Sequence, residues 1–134
     1  MSALIGTLHH LEINASDLRR SAAVWKWLLG ALGYVPFEQW SDGMSWRLGD
    51  SYIVLTQTPE DHAIVHYHRR ATGLNHVAFH AASRQQVDEL TGEVKRRGLK
   101  VLYEERHPYA GGAMHYALFF EDPDGIKIEV VAPA

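Results

Sequence analysis

Two histidines and one glutamate, widely separated in the chain, are the residues whose types could carry chemistry: His10, His76 and Glu129. Two imidazoles and one carboxylate offer a divalent ion three donors and leave further positions open to water or a substrate oxygen, which is what a Lewis-acid catalyst requires. The chain has no cysteine, so thiolate ligands, a cysteine nucleophile and disulfides are excluded, and any metal is held by nitrogen and oxygen. No local spacing of the H-E-x-x-H kind joins the three. Taken singly, an inward histidine is ordinary hydrogen-bonded packing and a carboxylate near a strand end is ordinarily solvated. A joint role rests on the elements that position them.

Those elements come from an internal repeat. With His10 laid over His76, "HLEINAS" matches "HVAFHAA" as His, apolar, x, apolar, x, Ala. Each piece reads as a strand followed by a helix, with Ser16 as N-cap before "DLRRSAAVWKWLLGAL" and Ser83 before "RQQVDELTGEVKRR". Leu18, Ala22, Trp25, Leu29 and Leu32 recur at helical spacing in the first helix, and Val87, Leu90 and Val94 in the second. Gly33 and Gly98 follow the helices where a left-handed terminator is expected. Strand-like segments come next: "YVPFEQW", "MSWRLG" and "SYIVLTQT" in one half, "KVLYEER", "AMHYALFFE" and "IKIEVVA" in the other. Both halves therefore read β-α-β-β-β, at about 1–58 and 74–134, joined by the linker "PEDHAIVHYHRRATG" within a single domain spanning 1–134.

A helix covers one face of each unit's sheet, so two such units gain by joining their sheets around a shared concavity. The expected fold is α+β: two βαβββ units pairing into an open, cupped, eight-stranded mixed sheet with the helices on its outer face. Strand alternation sorts the side chains. Leu11, Ile13 and Ala15 face the first helix, leaving His10, Glu12 and Asn14 on the opposite face. Val77, Phe79 and Ala81 face the second helix, leaving His76, Ala78 and His80 opposite. In the last strand Ile126, Ile128 and Val130 share one side, and Lys127, Glu129 and Val131 the other. His10, His76 and Glu129 thus all point into the concavity. Glu12, two residues from His10 on the same face, is the expected proton-transfer group, with Glu129 as the second catalytic carboxylate. Asn14, Trp46, Val54, Tyr103, His115 and Phe119 are the expected substrate-binding wall, His115 and Phe119 sharing a face.

At 134 residues, with 46% hydrophobic and 22% charged residues, the chain has the composition of one ordinary globular domain. A net charge of -3 gives no general attraction to phosphate backbones or anionic lipid, so neither nucleic acid nor membrane is an expected partner. No stretch approaches the roughly 20 apolar residues of a membrane span. The chain reads as soluble and cytoplasmic, acting on a small molecule.

The segments "HHLEINASDLRRSAAVWKWLLGALGY", "GLNHVAFHAASRQQVDEL" and "FFEDPDGIKIEVV" resemble the vicinal oxygen chelate superfamily, which includes glyoxalase I, fosfomycin-resistance enzymes, extradiol dioxygenases and bleomycin-resistance proteins. The resemblance implies one divalent ion, with zinc, manganese, nickel, iron and cobalt not distinguished, held by His10, His76 and Glu129. It also implies a homodimer. Val54 falls where glyoxalase I has a fourth protein ligand, and valine cannot coordinate. The leading expectation is a lyase or isomerase resembling the glyoxalases, in which substrate oxygens chelate the ion. The alternatives are a metal-free sequestering protein of the bleomycin-resistance type and a fosfomycin-resistance-like thiol transferase, for which Lys127, Tyr103 and Thr56 are the cationic and hydroxyl candidates.

Overall fold

The computed structural model describes residues 4–134. The chain divides between Val65 and His66 into two compact units, inside the segment expected to be the linker. The first unit carries β1 (His10–Ala15), α1 (Leu18–Ala31), β2 (Val35–Trp40), β3 (Gly43–Leu48) and β4 (Ser51–Gln57). Its strands run in the order β1-β4-β3-β2, with β1 parallel to β4 and the other pairs antiparallel. The second unit carries β5 (Val77–His80), α2 (Arg84–Arg96), β6 (Ala117–Glu121) and β7 (Lys127–Val131), ordered β5-β7-β6 with β5 parallel to β7.

The repeat is visible in the register. Glu12 pairs with Val54 across β1 and β4, and Ala78 pairs with Glu129 across β5 and β7. Overlaying His10 on His76 puts Glu12 on Ala78 and therefore Val54 on Glu129, as the sequence alignment requires.

The second unit departs from the expectation of eight strands in one sheet. Among the described residues, strand hydrogen bonds form two sheets, of four and three strands. Of "KVLYEER" only Val101 pairs, as a single bridge to Phe120. The reason lies at Tyr103, whose φ of 55° turns the chain out of the extended region. Its carbonyl then accepts hydrogen bonds from the amides of Arg106 and His107, both at 2.9 Å, closing a compact turn where a strand would continue.

The α1 side of the first sheet and the α2 side of the second hold most of the apolar core. Trp25, Leu28 and Leu29 of α1 and Val87 and Val94 of α2 are fully buried, with Leu55, Leu118, Phe120, Ile128 and Val130 of the strands. The α2 stripe is the expected one. In α1 the buried face is Ser21, Val24, Trp25, Leu28 and Leu29, whereas Leu18, Ala22 and Leu32 are half-buried. The α1 N-cap is Asp17, not Ser16: Asp17 accepts from the Arg20 amide at 3.2 Å, while Ser16 Oγ accepts from the Arg20 guanidinium. Ser83 caps α2 as expected, accepting from the Gln86 amide at 3.0 Å. Gly33 and Gly98 end the helices at φ of 98° and 71°, a conformation in which a Cβ would be strained.

Between β6 and β7 the "DPDG" segment forms a closed turn. Asp122 Oδ1 accepts from the amides of Asp124 at 2.8 Å and Ile126 at 2.9 Å, and the Asp122 amide donates to the Ile126 carbonyl at 2.9 Å. This turn fixes Phe119 opposite Glu129 in the ladder.

Candidate functional site

The face of the second sheet opposite α2 carries a cluster built on β7. Ile128 and Val130 point to the helix and are fully buried, so Lys127 and Glu129 emerge on the other side. Glu129 is nonetheless only 6% exposed, and a carboxylate so placed needs partners. It has two. His76 Nε2 lies 3.2 Å from Oε1, and His115 Nε2 lies against Oε2. His76 Nδ1 is 2.7 Å from Asn75 Oδ1, so the ring is held between two acceptor oxygens, one at each nitrogen, and a neutral imidazole donates to one of them at a time. The Phe119 ring lies 6.4 Å from both imidazoles, centre to centre, and floors the cluster.

Next to it stands a second group. Lys127 Nζ donates to the Tyr103 phenol oxygen at 2.8 Å and lies over the Phe119 ring at 5.2 Å. Tyr103 packs edge-on against Phe119 at 5.5 Å, and Arg106 lies over the Tyr103 ring at 5.1 Å. The hydrogen bond from the Lys127 ammonium lowers the Tyr103 pKa below the usual phenol value, against the opposing effect of burial. Holding a tyrosine at positive φ costs about 1–2 kcal/mol, and its ring is returned to this face by the contacts with Phe119 and Lys127. Leu102, Ala117 and Phe119 form a small buried apolar cluster beneath the group.

On the corresponding face of the first sheet, His10 is exposed and stacks on Tyr52 with ring centres 4.7 Å apart and planes 3° from parallel. The two residues are register partners. His10 Nδ1 is 2.9 Å from His9 Nδ1, so one ring donates to the other. Glu12 is exposed on the same strand face, and Asn14 Oδ1 accepts from Thr56 Oγ1 at 2.9 Å. Val54 is buried, 4% exposed, opposite Glu12.

The structure therefore brings together His76, Glu129, His115 and Phe119, with Tyr103 beside them, in the second unit, and His10, Glu12, Asn14 and Val54 on one face in the first. Trp46 is corrected. It pairs with Ile53, which pairs with Leu11, so its side chain lies on the α1 side and is 4% exposed; it belongs to the core and not to the face that carries His10. Sequence reasoning missed His9, Asn75 and Tyr52. Asn75 precedes His76 and His9 precedes His10, so each was adjacent to a singled-out residue, and Tyr52 is two residues from Val54 on the same strand face. Among the described residues, no three His, Asp or Glu side chains already converge on one point as metal ligands do. The donor types do suit a divalent ion: two imidazole nitrogens and two carboxylate oxygens lie within one short chain of contacts.

Comparison with known proteins agrees with this architecture. The family model of the Glyoxalase/Bleomycin resistance protein/Dioxygenase superfamily matches residues 7–130. The uncharacterized protein YqjT of Bacillus subtilis is 49% identical over 127 residues, 95% of this chain and 99% of that protein. Glutathione transferase FosA of Serratia marcescens is 27% identical over 127 residues, 95% of this chain and 81% of that protein. The crystal structure of a candidate glyoxalase from Bacillus halodurans superposes with a TM-score of 0.94 at 55% identity, covering 96% of this chain and 97% of that one. With the repeat, the shared register and a match running almost from end to end, this chain belongs to the Glyoxalase/Bleomycin resistance protein/Dioxygenase superfamily.

Proposed function

We propose that the protein is a metal-dependent enzyme of the lyase or isomerase type, acting on a small molecule that presents neighbouring oxygens to one divalent ion held by His10, His76 and Glu129. The observation that carries this reading is the buried carboxylate of Glu129 facing the Nε2 atom of His76 at 3.2 Å. With the His76 proton donated from Nδ1 to Asn75, Nε2 and the Glu129 carboxylate together offer two neighbouring donor atoms to a cation. The bound ion supplies Lewis acidity toward substrate oxygens. The chain's own residues do the rest. Glu12, on the His10 strand face roughly 7 Å along, takes and returns a substrate proton. Asn14 and Val54 in the first unit, and Tyr103 and Phe119 in the second, shape the substrate site. Homodimer formation is part of the proposal, supported by the exposed apolar side chains Val35, Phe37 and Trp40 on the edge strand β2. Cytoplasmic residence is part of the proposal; a chain without cysteine needs no oxidising compartment to fold.

A second reading, transfer of a thiol to an electrophile, is favoured by the similarity to FosA and by the Lys127–Tyr103 pair, which suits an anionic group on the acceptor.

Metal analysis of protein purified without an affinity tag tests the proposal. The expected result is about one tightly held ion per chain, lost in His76→Ala and Glu129→Gln. Failure to take up manganese, nickel, zinc, iron or cobalt, together with tight binding of a planar dye or drug, overturns it in favour of sequestration. Metal-dependent consumption of a thiol in the presence of an epoxide selects the transferase reading.

A further inference from the structure

We propose that His115 is a protein ligand of the ion held by His76 and Glu129, supplied by the loop before β6 rather than by a strand; this rests on the metal-dependent reading above. His115 and His76 approach opposite oxygens of one carboxylate, and both do so through Nε2. Ligand atoms each about 2.1 Å from a common ion lie about 3 Å from one another, which is the separation of His76 Nε2 and Glu129 Oε1. In the loaded protein both ring nitrogens turn from the carboxylate to the cation, and the buried acid remains compensated.

The loop is shaped around this ring. A Cβ on Gly111 would lie 2.4 Å from His115 Cδ2 and 3.0 Å from Cγ, so the backbone at Gly111 packs directly on the imidazole and no other residue fits without moving it. The His115 amide donates to the Gly112 carbonyl at 3.1 Å, and the Ala117 amide donates to the Pro108 carbonyl at 2.9 Å, anchoring the loop on both sides of the ring. The repeat adds a reason. Val54 occupies the position equivalent to Glu129, so the strands offer one donor fewer than a symmetric pair of units would, and His115 supplies a further donor from the loop before β6.

The experiment uses the full chain, purified without an affinity tag and stripped of metal. Manganese(II) affinity is measured calorimetrically for the wild type, His115→Ala, His115→Gln, Gly111→Ala and His76→Ala. Copper(II) then serves as a probe for counting coupled imidazoles by pulsed EPR. His115→Ala is expected to weaken manganese binding about tenfold or more and to lower the imidazole count by one. Gly111→Ala, which keeps the histidine and displaces it, is expected to weaken binding in the same direction. Unchanged or tighter binding in His115→Ala, with the full imidazole count, overturns the inference while leaving the metal site intact, provided that His76→Ala loses the metal. A wild type that takes up no metal overturns the inference and the reading beneath it together. If His115→Ala does not fold, the imidazole count of the wild type against His115→Gln decides.

Discussion

Asp122 Oδ1 accepts the amide hydrogen of Ile126 at 2.9 Å, and through that contact a residue seven positions before Glu129 sets which face the glutamate takes. Asp122 is 5% exposed and also accepts from Asp124, so its carboxylate holds together the turn that aligns Phe119 with Glu129. Removing it strands two amides. Asp122→Ala should lower stability by about 1–3 kcal/mol, read from urea unfolding followed by circular dichroism. Asp122→Asn, which retains an acceptor oxygen, should recover part of the loss. Equal unfolding midpoints for wild type and Asp122→Ala would show that the turn does not depend on this side chain.

The four phenols with perturbed acidity divide in a way that titration can read. Lys127 lowers the Tyr103 pKa, whereas Tyr116, which donates to Asp88 at 2.5 Å, is raised chiefly by that hydrogen bond; Tyr34 and Tyr67 are raised chiefly by burial. Absorbance titration should show one tyrosine ionising ahead of the usual value near 10, and Lys127→Met should remove that early phase. The sign for stability follows. With a folded pKa below the unfolded one, the Tyr103 contribution is fully present above the unfolded value and is lost as pH falls through the folded value. Stability should therefore rise with pH across that interval in the wild type and less so in Lys127→Met. An identical early phase in both proteins would detach the phenol from the lysine.

Much of this was legible in the chain because burial enforces period. Val87, Leu90 and Val94 in α2, and the alternation of Ile128 and Val130 with Glu129, are fixed by which side meets the core, and both are as expected. The first helix was harder to orient, since Ser21 is buried and small while Leu18 and Leu32 are only half-buried; hydropathy alone rotates the stripe toward the larger side chains. Trp46 was misjudged because the face of a middle strand depends on its register with Ile53, which no local pattern reveals. The strand expected at "KVLYEER" fails on one residue, Tyr103, whose positive φ carries no marker of the kind a glycine would give. In the candidate site, His76 and Glu129 came from the repeat, but the contact of His115 with Glu129 depends on the loop before β6, where strand alternation does not direct the side chain.

Trp25 separates packing from function. It is fully buried on the core face of α1, on the helix side of the sheet. Trp25→Ala should cost about 3–5 kcal/mol in urea unfolding, and whatever fraction remains folded should bind metal with wild-type affinity. A weakened metal site in folded Trp25→Ala would tie the core to the site more closely than their opposite sheet faces imply.

His9 provides the corresponding test in the first unit. Its Nδ1 lies 2.9 Å from His10 Nδ1 while the His10 ring is stacked flat on Tyr52, so one neighbour offers a hydrogen-bond partner to Nδ1 of His10 and the other sets the plane of the ring. If His10 offers Nε2 to the ion, its proton must sit on Nδ1 and be donated to His9. His9→Phe removes that acceptor and should weaken manganese binding by about tenfold, measured calorimetrically. Tyr52→Leu keeps the acceptor and frees the ring, so it should weaken binding less, at the entropic cost of fixing a mobile imidazole. The order of the two effects is the discriminating result: if Tyr52→Leu is the more damaging, ring orientation rather than proton placement governs His10, and if neither variant changes the affinity, His10 is not among the ligands.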